Sequence, residues 1–70
     1  MSEIQAVLFD INKWTIISAH KWLMKHHIFP IKMPHITNRY IRFRINFPDR
    51  YRRLRTKTIE NGIKFIIGFL

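Results

Sequence analysis

The chain has no cysteine, which excludes a disulfide framework and a thiolate metal site and fits a reducing compartment. Acidic residues are scarce as well. Glu3, Asp10, Asp49 and Glu60 are the whole set, with none between Asp10 and Asp49. General acid–base catalysis needs paired carboxylates or a histidine held by one, and four scattered acids supply neither. Asp10 and Asp49 suit turn and cap positions better than catalysis. Ser2 and Ser18 have no His–acid constellation near them in sequence. The chain therefore reads as a non-enzyme without a cofactor. Long apolar runs are missing too. The most apolar, "IKFIIGFL", is far shorter than the roughly 20 residues a membrane-spanning helix needs. No basic segment followed by an apolar stretch marks a signal peptide, so secretion is not expected.

What remains is apolar and basic. Hydrophobic residues make up 47% of the chain, with six Phe, two Trp and two Tyr, too many for a disordered basic tail. Seventy residues allow one domain, 1–70. A chain of that size buries only about 60% of the surface its unfolded form exposes, so one small core is the ceiling. Thirteen Lys and Arg leave a formal net charge of +9. Such an excess draws polyanions through long-range fields and counterion release, which admits nucleic acid, anionic membrane or acidic protein.

The order of elements follows from periodicity and punctuation. "EIQAVLFD", Glu3 to Asp10, is short and suits a pleated strand buried on both faces. "KWTIISAHKWLMKHH" reads as a helix capped by Thr15, with Ile16, Ala19, Trp22 and Leu23 on one face and Ser18, Lys21 and Lys25 opposite. Pro30 prevents its continuation, and "FPIKMPH", Phe29 to His35, reads as an extended connection. In "RYIRFRIN", Ile41, Phe43, Ile45 and Phe47 point to one side of a strand, and Tyr40, Arg42, Arg44 and Asn46 to the other. "PDRYRRLRTKT" is expected to form one short helical turn. Asn61-Gly62 then signals a tight turn into a last strand with Ile63, Phe65 and Ile67 on one face. The fold class expected is α+β, a small two-layer β-α-β-β sandwich. Its three-stranded, mainly antiparallel sheet is covered on one face by the helix through Ala19, Trp22 and Leu23. If the first two strands were parallel neighbours, the helix would make a right-handed crossover. The inner face would hold Ile41, Phe43, Ile45, Phe65 and Ile67; the outer face would present Tyr40, Arg42, Arg44 and Lys64.

Three blocks carry a family likeness. "VLFDINKWT…AHKWLMKHHI", "NRYIRFRI" and "YRRLRTKTIENGIKFIIGF" resemble small uncharacterised basic domains of large DNA viruses and tailed phages. In that family a "WT…A..WL..H" block precedes a "Y.R.R" strand and an "FR.K…GI..IIG" ending. The resemblance runs from Val7 to Phe69 and includes no catalytic signature. It implies an α+β domain in a viral setting, within the host cell or the virion. Leu54 departs from the pattern, standing where an aromatic precedes Arg-Thr-Lys, and would soften packing there.

The histidines and tryptophans have plain readings. His20, His26, His27 and His35 lack both thiolate partners and tight i,i+4 spacing, so they read as surface imidazoles, and no metal site is expected. Trp22 has the phase of a core residue. Trp14, just before the cap, is either a staple against the sheet or an exposed stacking platform, and its position favours the staple.

The arginines carry the strongest signal. Arg39, Arg42, Arg44, Arg50, Arg52, Arg53, Arg55 and Lys57 put eight cations within 19 residues, relieved only by Asp49, and arginine outnumbers lysine there seven to one. A merely wet sheet face usually mixes signs, whereas this run repels itself unless something negative neutralises it. Guanidinium forks also suit bidentate phosphate contact. Tyr40 and Tyr51 add stacking surfaces. The candidate nucleic-acid-binding set is thus Arg39, Tyr40, Arg42, Arg44, Arg50, Arg52, Arg53, Arg55 and Lys57. No helix-turn-helix, zinc finger or glycine-bearing RNP motif is present, so contact is expected to be sequence-tolerant. If Arg42, Arg44, Arg52 and Arg53 neutralise about four duplex phosphates, affinity should fall with salt at a log–log slope near −4. The alternatives are a structural virion protein whose arginines meet an acidic protein surface, and an inhibitor of a host nucleic-acid enzyme. A homo-oligomer is compatible with each. A membrane partner is not expected, because only Lys21 and Lys25 charge the helix, which is too short for a basic amphipathic anchor.

Overall fold

Gln5, Ala6, Val7 and Phe9 are all fully buried along the first strand, β1 (Ser2–Asp10). Burial on both faces marks a central strand. In a computed structural model of the chain, describing Met1 to Leu70, β1 lies in the middle of a five-stranded sheet. The other elements follow in the order α1 (Ile16–Lys25), β2 (His35–Ile36), β3 (Tyr40–Arg44), a 3₁₀ turn (Pro48–Arg50), β4 (Arg53–Glu60) and β5 (Ile63–Phe69). Across the sheet the strands run β2-β3-β1-β5-β4, and every neighbouring pair is antiparallel. No parallel crossover exists, since β1 pairs with β3 in the antiparallel sense.

The helix covers one side of this sheet. Thr15 and Ser18 form a reciprocal capping box, in which Ser18 N–H donates to Thr15 Oγ1 at 3.0 Å and Thr15 N–H donates to Ser18 Oγ at 2.9 Å. Ala19 and Leu23 then join Val7, Phe9, Ile41, Phe43 and Ile63 in the buried core. Phe9 is the hub. Trp14, Trp22 and Phe43 meet its ring edge-on, with centroids 5.1, 5.8 and 5.7 Å away. Trp14 is thereby packed against the sheet, and its indole N–H donates to the Asn61 carbonyl at 2.7 Å. Ile16, by contrast, is exposed rather than part of the core face, and Ile67 lies half-buried outside the main cluster.

The three-stranded sheet expected from the sequence is corrected to five strands. "PDRYRRLRTKT" forms its helical turn only at Pro48–Arg50, and the chain is a strand again from Arg53. β4 hid because all eight of its residues are exposed, so neither face shows the apolar alternation that reveals a half-buried strand. The Asn61-Gly62 turn, with φ of 47° and 76°, joins β4 to β5 as a hairpin. A Cβ at Gly62 would come within 2.7 Å of Asp10 Cβ, which adds a packing demand to the positive φ. β2 was masked by Pro30 and Pro34, which made its whole surroundings read as a linker. It is only two residues long and forms the opposite edge.

Candidate nucleic-acid interface

Register decides what the uncovered face carries. His35, Arg42, Leu8, Lys64 and Thr58 pair in one row across all five strands, and Arg44, Ala6, Ile66 and Thr56 pair in the next. Directly paired residues of antiparallel strands share a face. Their alternates Ile41, Phe43, Ile63 and Phe65 pack with α1, so both rows point away from the helix. Arg42, Arg44 and Lys64 therefore form a cationic band on an open sheet face. Tyr40 adjoins it, with Lys64 Nζ 5.2 Å from the ring centroid.

No carboxylate neutralises this band. Glu3 is occupied at one end, where its Oε1 accepts from the Tyr51 hydroxyl at 2.9 Å and pairs with Arg50 Nη2 at 3.4 Å. Asp10 sits at the other, paired with Tyr40, where its Oδ1 accepts from Asn12 N–H at 2.9 Å and no cation lies within ion-pair distance of it. Arg50–Glu3 is the only ion pair in the molecule, so the charges of Arg42, Arg44 and Lys64 are unpaired. Arg42 Nε is also buried and donates to no acceptor. An unmet buried donor costs about 1–3 kcal/mol, more when charged.

The nine residues singled out from sequence are not brought together. Tyr40, Arg42 and Arg44 occupy the open face. Arg39 lies exposed in the β2–β3 turn, its carbonyl accepting from Ile11 N–H at 2.9 Å. Arg50 is held by Glu3, with a 3.4 Å bond to Asn46 Oδ1. Arg52 is exposed just before β4, tied by its backbone N–H to the Phe69 carbonyl at 2.8 Å. Arg53, Arg55 and Lys57 pair with Phe69, Ile67 and Phe65, which places them on the helix side of the sheet at its outer edge. Arg53 lies over the Phe69 ring at 5.1 Å. Alternation within a strand was readable, but the relative phase of β3 and β4 runs through β1 and β5 and was not.

Tyr51 has a structural task rather than an exposed stacking one. Its ring lies over Gly68, where an added Cβ would fall 2.4 Å from the ring. Burial, reinforced by the hydrogen bond to Glu3 and its negative charge, pushes the phenol above its ordinary value of 10.0. Lys64, seen from sequence as an outer-face residue, belongs to the site. His35, read from sequence as a surface imidazole, pairs with Arg42 and so shares its face.

Comparison of the chain with protein-family models, with curated proteins and with solved structures finds no match. No helix is long and apolar enough to cross a membrane. No three His, Asp or Glu side chains gather as a metal site.

Proposed function

We propose that the protein is a non-catalytic nucleic-acid-binding domain that lays a single strand across the open face of its sheet. Phosphates meet Arg42, Arg44 and Lys64, and a base stacks against Tyr40. The observation that carries this reading is a band of unpaired cations beside a half-buried aromatic, with no carboxylate within ion-pair distance of any of them. Stacking on an aromatic is sequence-tolerant because every base has a π-face, and the phosphate charge supplies affinity without sequence. A single strand suits this surface better than duplex, since no element projects that would enter a groove. In the viral setting that the sequence resemblance implies, the ligand is a genome or transcript.

The test is charge reversal on each side of the sheet. Arg42→Glu/Arg44→Glu should weaken binding of a fluorescent oligothymidylate by about 100-fold or more, on the loss of two charge-assisted contacts, while circular dichroism stays native. Arg53→Glu/Arg55→Glu should have a much smaller effect. Equal losses from the two pairs would count against the open face, and binding of an acidic protein without nucleic acid would favour a virion contact instead.

A further inference from the structure

At the β2 edge the open face falls into a concavity of about 440 Å³, inside the roughly 300–1,000 Å³ range of small-molecule sites. Lys32, Pro34, His35, Thr37, Arg42 and Arg44 line it, and no carboxylate does. We propose that this concavity binds a phosphomonoester, the phosphorylated end of a nucleic-acid strand or a free mononucleotide. The inference rests on the nucleic-acid reading above and names the group that the edge of that face selects.

The walls are held in place by the fold. Ile31 N–H donates to the Arg44 carbonyl at 2.9 Å, which prolongs the sheet edge beyond β2, and Pro30 and Pro34 restrict the backbone on both sides of Lys32. His35 pairs directly with Arg42, so the imidazole and the guanidinium share a face. Thr37 is not a ligand group. Its hydroxyl donates to the Tyr40 carbonyl at 3.1 Å and accepts from Tyr40 N–H at 3.0 Å, closing the β2–β3 turn. Lys32, Arg42 and Arg44 make no ion pair within the chain, which leaves their charges for a ligand.

Charge and shape then choose among phosphates. A phosphomonoester has a second pKa of about 6 and three acceptor oxygens, so near neutral pH it carries close to two negative charges. That matches the three permanent cations Lys32, Arg42 and Arg44. An internal phosphodiester carries only one charge against the three permanent cations that line the concavity.

The experiment compares oligothymidylates of equal length with 5′-phosphate, 3′-phosphate or hydroxyl ends, by fluorescence anisotropy on the full chain. A phosphorylated end should bind at least about tenfold tighter than the hydroxyl form, the worth of one added charge-assisted contact. Lys32→Ala should erase that preference and leave affinity for the hydroxyl oligomer unchanged. Thymidine monophosphate that competes away the preference identifies free nucleotide as a ligand; failure to compete, with the preference intact, identifies the strand end. Should the hydroxyl oligomer not bind while thymidine monophosphate still shifts the amide resonances of His35 and Arg42, the pocket stands and the sheet-face reading falls. Equal affinity of all three oligomers, with no resonance shift from thymidine monophosphate or inorganic phosphate, overturns the pocket and leaves the sheet face standing.

Discussion

Tyr51 shows how a residue that resembles a binding aromatic in sequence becomes a fastening in the fold. Its neighbours Arg50, Arg52 and Arg53 made it look like a stacking platform, yet its ring fills the space that Gly68 leaves and its hydroxyl meets Glu3 at 2.9 Å. Nothing local announces this, because Gly68 reaches Tyr51 through the pairing of β4 with β5, and Glu3 through that of β1 with β5. A pH signature follows. The folded phenol titrates above its unfolded value of 10.0, so the stabilisation it gives is fully present below that value and is lost as pH rises through the higher folded one. Tyr51→Phe should remove that part of the alkaline loss of stability. Urea midpoints of both proteins across alkaline pH check it, and identical pH dependence would show that the phenol does not contribute.

At the scale of elements, the apolar strands and the helix were legible and the polar edge was not. Thr15 and the spacing of Ala19 and Leu23 sufficed for α1, and the alternation of Ile41 and Phe43 sufficed for β3. β4 has no buried residue to give it a phase, and its only trace was the Asn61-Gly62 turn, which needs a strand on both sides. Arg53, Arg55 and Lys57 have a use on that strand without any ligand. Charge on an exposed edge discourages pairing with another chain. Two-fold antiparallel pairing of β4 with a second copy, centred at Thr56, would set Arg55 against Lys57; centred at Lys57, it would set that residue against itself. Replacing all three cations with threonine should therefore promote self-association, read by light scattering after size exclusion. A variant that stays as monodisperse as the parent would remove the protective role.

Over the whole molecule, thirteen cations and one ion pair leave a strongly positive surface around a small core. Net charge alone was readable from composition, and it predicts attraction to polyanions from every direction. The sheet divides that charge. Arg42, Arg44 and Lys64 act together on one side, while Arg52 and Arg53 are separated from them, so the four-arginine contact expected from sequence gives way to a three-cation band. The measurement that tests this most directly is the salt dependence of oligothymidylate binding. Three single-strand phosphates neutralised give a log–log slope of about −2, and Arg42→Ala/Arg44→Ala should reduce it to about −0.7. The β4 triple-threonine protein should keep the parent slope. A slope unchanged by the open-face substitutions, or lost with those on β4, would contradict the account.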